Sequence, residues 1–403
     1  MTVVYADQPA APEDYLPPAP QSQHSTKPKQ LLEATLQRYS EGIDHVVDYL
    51  SKIGFVFEPW QVSAFVTAVR TKPFVILAGI SGTGKTQLTK LVANATGSRC
   101  YTIPVRPDWN DSSDLLGFER IDGSFQPGPL LRIAREATDD PHTQYFVVLD
   151  EMNLARVEYY MAEVLSTLED RSWEEGRTIS SSFFPHLAGG EYDVWSSVGL
   201  PGNLCLVGSV NMDETTHGFS KKVLDRSFVI EFSKIDLSSI PQAVTEPAQA
   251  KRWASQDWCP RAVSLAQHPL VSHPDVPSII ETLIHVNSLL EPAQLQFGYR
   301  VRDEIIMFCL AANDCSESFS TSDSGAVDPL DLAIAMKVLP RIQGAGTTVR
   351  KVLDNLRSWA SPGIDDPAGS TTDTSEPGFP FCSDRIELML RRLHETGFTN
   401  YWL

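Results

Sequence analysis

Eight residues, Gly79-Ile80-Ser81-Gly82-Thr83-Gly84-Lys85-Thr86, fill the pattern G-x-x-x-x-G-K-[ST], with Gly79, Gly84, Lys85 and Thr86 in register. The chemistry this spacing serves is phosphate binding. Glycines let the backbone turn tightly, so that the N–H groups around Ser81, Gly82, Thr83 and Gly84 can surround phosphate oxygens. The helix that follows points its positive end at them. Lys85 would reach the β- and γ-phosphates, and Thr86 would place a hydroxyl on Mg²⁺. An ordinary Gly-rich strand-to-helix turn would explain the glycines but not the Lys-Thr pair at the helix start.

Further along, the apolar run Tyr145-Phe146-Val147-Val148-Leu149 closes on Asp150-Glu151. Two carboxylates at the C-terminal end of a buried strand suit a nucleotide site: Asp150 would hold Mg²⁺ through water, and Glu151 would orient and activate an attacking water. Taken alone, the pair also fits a strand ending in a solvated acidic turn. A third apolar run, Leu204 to Val210, ends in Asn211. If that strand lies between the other two, the Asn211 amide can hold the lytic water against the γ-phosphate.

The elements needed to position these groups follow from apolar spacing. Phe74-Val75-Ile76-Leu77 reads as the buried parallel strand before the loop, and Gln87 to Ala95 as the helix after it. Helices are expected over Gln30 to Ile53 and Pro59 to Val69, with Phe57, Trp60 and Gln61 as candidates to touch a base; for Trp60 core packing is the competing role. Strands are expected over Cys100 to Val105 and Phe228 to Phe232, a small hairpin at Ile121 to Phe125, and helices over Pro129 to Ala137 and Ala155 to Asp170. Asp111 or Ser112 would cap a short helix. Residues 1–28, rich in Pro, Gln, Ala and Ser, read as a flexible tail. Residues 29–235 read as an α/β nucleotide-binding domain with a parallel sheet between helices, and 236–403 as an all-α lid and C-terminal region. Two stretches, Asn313 to Asp328 and Ser361 to Pro377, read as surface excursions.

Composition narrows the class. The 403-residue chain carries 33 basic and 51 acidic residues, a net charge of −18, which argues against a broad nucleic-acid-binding face. The six cysteines are scattered without a C-x-x-C pair, as suits a reducing cytoplasm. Neither a signal peptide nor a membrane span is expected.

The order P-loop, Asp-Glu strand, Asn-tipped strand, Arg before a last strand, then helical lid resembles the AAA+ ATPase family. The closer likeness is to its McrB-like branch, the motor subunits of modification-dependent restriction systems. It is carried by Leu77 to Thr86, Leu149 to Glu158, Val210 to His217, Lys222-Val223-Leu224-Asp225-Arg226 and Phe297-Gly298-Tyr299-Arg300-Val301-Arg302. The resemblance implies that Asn211 is the sensor-1 group. It implies that Arg226 is an arginine finger completing a neighbouring subunit's site, and that Arg302, with Arg300 as competitor, is the sensor-2 residue of the lid; a surface salt bridge is the alternative for each. It further implies Mg²⁺, a ring of identical subunits such as a hexamer, a McrC-like PD-(D/E)xK nuclease partner, and DNA contact made indirectly or through that partner. McrB carries an Asn-x-x-Asp signature associated with GTP. Here Asn211-Met212-Asp213-Glu214 departs from it, which favours ATP over GTP. A MoxR-like chaperone that remodels a protein complex shares every catalytic residue. A third reading, a nucleotide-binding switch that scarcely hydrolyses, leaves Glu151 without a purpose.

Overall fold

The computed structural model describes residues 27–174, 177–187, 189–190, 192–212, 217–233, 248–361 and 378–402, with side chains from 39 onward. The expected tail up to residue 26, and the second excursion from residue 362, lie outside the described residues. In chain order the first half comprises α1 (Lys27–Lys52), α2 (Pro59–Thr71), β1 (Phe74–Gly79), α3 (Lys85–Thr96), β2 (Arg99–Pro104), α4 (Ser113–Leu116), β3 (Gly117–Glu119), β4 (Phe125–Pro127), α5 (Pro129–Asp139) and β5 (Tyr145–Asp150). It continues through α6 (Val157–Tyr160), α7 (Ala162–Glu169), β6 (Ser172–Glu174), β7 (Arg177–Ile179), β8 (Leu204–Asn211), α8 (Lys221–Leu224) and β9 (Phe228–Phe232). The remainder is α9 (Ser255–Trp258), α10 (Asp275–Leu290), α11 (Tyr299–Ala312), α12 (Pro329–Lys337), β10 (Gln343–Ala345), α13 (Gly346–Ala360), α14 (Pro380–Thr396) and β11 (Phe398–Asn400).

Continuous apolar runs, rather than alternating ones, make β1, β5 and β8 buried on both faces, as parallel strands flanked by helices must be. They join β2 and β9 in one parallel sheet of order β2-β5-β8-β1-β9. The strand ending in Asn211 therefore does lie between the P-loop strand and the Asp-Glu strand, and all three C-terminal ends meet on one edge of the sheet. Gly208 fits under Met152 because a Cβ there would stand 1.8 Å from the Met152 sulfur.

Several expectations change. The single helix over Ala155 to Asp170 is two, α6 and α7, broken at Met161, whose φ of −106° and ψ of 14° are not helical. After α7 the described residues hold an antiparallel pair, β6–β7, and short 3₁₀ turns. Only part of Asn313 to Asp328 is a surface excursion: residues 322–326 are exposed, whereas the first turns bury Asp314 and Cys315 against α1 and α2, and Phe319 packs edge-on against Phe308 of α11. The cause is electrostatic. Arg70 on α2 is almost fully enclosed, and Asp314 supplies its counterion at 2.6 Å while also bonding Arg261. Among its described residues the helical C-terminal half includes a short antiparallel ribbon, β10–β11. Among the described residues no helix is long and apolar enough to cross a membrane.

Helix α14 is anchored at its start by Asp331 of α12, whose carboxylate accepts the N–H groups of Phe381 at 2.7 Å and Cys382 at 2.9 Å. Those are donors that the first turn of a helix leaves unpaired. Burial pushes the Asp331 carboxyl up to about 6 despite these bonds. Asp331→Ala removes the carboxylate acceptor from both bonds, a cost of about 1–3 kcal/mol, which chemical denaturation will register as a lowered midpoint.

Candidate functional site

Two glycines of the P-loop hold backbone conformations that a side chain would strain. Gly79 has a φ of 153°, and a Cβ there would lie 2.4 Å from the Phe232 carbonyl oxygen across the sheet. Gly84 is left-handed, with a φ of 83°, at the N-cap of α3; a Cβ on it would stand 3.3 Å from the Phe57 ring. Ser81 and Gly82 are exposed at the crown of the loop, and the Thr83 hydroxyl donates to the Ile80 carbonyl at 3.0 Å. The buried Lys85 ammonium donates to the carbonyls of Gly79 at 2.9 Å and Ile80 at 2.5 Å. Burial lowers its pKa, while Asp150 and Glu151 act against that shift.

The three strand ends are tied together by one carboxylate. Asp150 Oδ1 accepts the Thr86 hydroxyl at 2.8 Å and the Ser209 hydroxyl at 2.7 Å. Ser209 Oγ in turn accepts the Glu151 N–H at 2.9 Å. Glu151 sits in the left-handed region, with φ 52° and ψ 49°, a conformation unusual for a residue with a Cβ, which exposes its carboxylate beyond the sheet. Asn211 Nδ2 donates to Glu151 Oε1 at 3.1 Å, and the Asn211 carbonyl accepts from Asn153 Nδ2 at 3.3 Å. Asn153 also accepts the His217 N–H through its carbonyl at 2.9 Å, and the His217 side chain is exposed, as expected for a loop residue. Residues 213–216, which include the Asp-Glu step that departs from the GTP-associated signature, lie outside the described residues.

Thr86, Asp150 and Ser209 form a set of hard oxygen donors, the kind that suits Mg²⁺. One carboxylate and hydroxyls are few ligands for a metal cage. They are typical of an ion that shares its shell with water and substrate phosphates. Ser209 escaped the sequence reading because a serine inside an apolar strand carries no motif; its place two residues before a strand-tip Asn was the available signal.

Beside the loop, at the C-terminal end of β9, a cleft of about 220 Å³ opens between α2, α12 and α14. Two of the three base-contact candidates line it: Trp60, packed edge-on against Phe381, and Gln61. Phe57 instead lies beneath Gly84 and packs against Phe232. The cation of this cleft is Arg385 on α14. It pairs with Glu231 at 3.0 Å, donates to the Tyr401 carbonyl at 2.6 Å and approaches the sulfur of Met212, next to Asn211. Only apolar spacing marked α14 in the sequence, so nothing singled out its arginine.

The remaining arginines sit elsewhere. Arg302 bonds its neighbour Asp303 at 2.6 Å and lies over the Tyr299 ring, and Arg300 pairs with Glu169 at the end of α7. The first turn of α11 thus stands beside Arg226, and it is Arg385, not Arg302, that lines the cleft by the loop. Arg226 donates from Nε to the Leu165 carbonyl at 3.0 Å and from a terminal nitrogen to the Lys222 carbonyl at 2.8 Å, and it shares Glu169 with Arg300. Within its own chain Arg226 is therefore ion-paired rather than free, and none of these partners belongs to its own P-loop.

Residues 74–186 match the family described as AAA domain (dynein-related subfamily). Residues 259–398 match a family described as Domain of unknown function (DUF8727). No curated protein matches the chain. With the parallel sheet and helical C-terminal region described above, the chain carries an α/β AAA+ core, a nucleotide-hydrolysing domain, followed by an all-α lid. The AAA match takes in the P-loop and Asp150-Glu151 and ends before Asn211 and Arg226.

Ser209→Ala removes the support under Glu151 while leaving the P-loop intact. Nucleotide turnover should fall by about 10–100-fold with the nucleotide dissociation constant little changed; a matched titration and turnover assay reads both.

Proposed function

We propose that the chain is a ring-forming ATPase that couples hydrolysis to a partner nuclease in a McrB-like restriction and antiviral defence system. The observation that carries the hydrolytic part is the joined cluster of Thr86, Asp150, Ser209, Glu151 and Asn211 at the ends of three adjacent strands. In this reading Lys85 and the loop N–H groups hold the triphosphate, and Thr86 and Asp150 hold Mg²⁺, which when bound neutralises phosphate charge. Glu151 accepts a proton from the attacking water, and Asn211 orients both Glu151 and that water. Arg385 takes the sensor-2 role first expected of Arg302, and the purine enters the cleft that Trp60, Gln61 and Phe381 line.

Arg226 supports the ring. Two of its donors are fixed by backbone carbonyls, so the bond to Glu169 is the one that a γ-phosphate of the next subunit would replace. The nuclease, DNA contact and hexameric assembly follow the sequence resemblance to McrB-type motors. ATP is favoured over GTP by the Asn211 to Glu214 departure. A MoxR-like chaperone remains the alternative with the same active site.

Three variants test the assignment. Lys85→Ala should lose nucleotide binding. Glu151→Gln should bind but not turn over, and Arg226→Ala should lose about 10³-fold or more in turnover at unchanged binding. Turnover of ATP and GTP, measured with and without DNA and the proteins that co-purify from the native source, separates the readings. A PD-(D/E)xK nuclease among them supports the restriction motor. Recovery of a von Willebrand-type adaptor instead would favour the chaperone.

A further inference from the structure

Arg226 lies in a turn, Asp225-Arg226-Ser227, between α8 and β9, whose N–H groups bond back to the Lys221, Val223 and Leu224 carbonyls of α8. Two of the turn's own carbonyls are bonded from the C-terminal helical half. Lys337, the last residue of α12, has a fully buried side chain, and its ammonium donates to the Ser227 carbonyl at 2.9 Å and the Asp225 carbonyl at 3.2 Å, one on each side of Arg226. Its third partner is Glu304 of α11 at 2.5 Å. Arg341, just beyond α12, pairs with the Asp225 side chain at 3.1 Å and donates to the Gln296 carbonyl.

A buried ammonium is costly unless neutralised and fully bonded. Glu304 meets both requirements: burial alone would raise its carboxyl, yet Lys337 and Lys72 hold it down at about 2. Lys72 takes the other Glu304 oxygen at 2.9 Å and stands two residues before β1, the strand that carries the P-loop. One buried carboxylate thus connects the strand under the P-loop to the clamp on the Arg226 turn.

The two carbonyls that Lys337 takes flank a single arginine, so its bonds hold the turn on both sides of Arg226. We propose that Lys337 is a positioning residue for Arg226. With Glu304 and Arg341 it fixes the backbone from which Arg226 reaches the neighbouring subunit's nucleotide. The residues that do so all lie within the stretch matched as a domain of unknown function. The inference rests on the reading of Arg226 as a finger acting in trans.

Mixed rings test it. Glu151→Gln subunits cannot hydrolyse but can donate Arg226. Arg226→Ala subunits can hydrolyse but lack the finger. A mixture of the two should recover turnover that neither shows alone. Replacing the donor by the Glu151→Gln, Lys337→Met double variant should cut that recovery by about 100-fold. Lys337→Met used as acceptor, with Glu151→Gln donating, should recover normally, since its own hydrolytic residues are intact. A general folding defect would damage both arrangements alike, so the asymmetry is what a purely structural role would not give. If Lys337→Met fails to bind nucleotide, Arg341→Gln takes its place in the same two mixtures. A double variant that donates as well as Glu151→Gln overturns the inference. Failure of the first mixture overturns the trans reading of Arg226, and the inference with it.

Discussion

The structure depends on one carboxylate, Asp150, accepting hydroxyls from two directions. Thr86 comes from the helix after β1, Ser209 from the middle strand β8, and Asp150 itself closes β5. Parallel strands in register place their C-terminal ends on one edge, and their carbonyls and side chains there need partners that the ladder no longer supplies. The Asp150 cluster supplies them and, in doing so, holds Glu151 in a left-handed conformation that a free chain would avoid. In the proposed hydrolytic role this places the Glu151 carboxylate by the protein's own bonds, which is the condition for effective electrostatic catalysis.

Away from that edge, the sheet and the helical half are joined by buried charges rather than by apolar contact alone. Asp314 draws Arg70 and Arg261 together, and Glu304 draws Lys72 and Lys337. Such pairs contribute little net stability, because desolvation offsets attraction, but losing one partner leaves a charge stranded. They therefore specify one arrangement of the two halves. The turn that carries Arg226 inherits that arrangement.

Much of this was legible in the residues. Apolar runs ending in Asp150-Glu151 and in Asn211 located the strand ends, and the P-loop pattern fixed the chemistry, because each motif is short and local. Arg226 was singled out by its position before a last strand, and the salt bridge weighed as its alternative is the in-chain pairing with Glu169. Ser209, Arg385 and Lys337 were missed for a common reason. Each acts through a partner 59 to 173 residues away along the chain, a separation that no periodicity or motif encodes. The same holds for Asn313 to Asp328: its acidic, polar composition suggested a surface loop, and only the presence of buried Arg70 explains why Asp314 is inside.

The central claim is that a hydrolytic site on one copy is completed by Arg226 of the next. Its most direct test is a structure of the assembled protein with Mg²⁺, ADP and aluminium fluoride. The account predicts the fluoride held by Lys85 and Asn211 of one subunit and by Arg226 of its neighbour, with Glu169 released and Lys337 still bonded to the Asp225 and Ser227 carbonyls. An Arg226 that stays on Glu169 in every subunit, with the fluoride contacted from one chain alone, would contradict it.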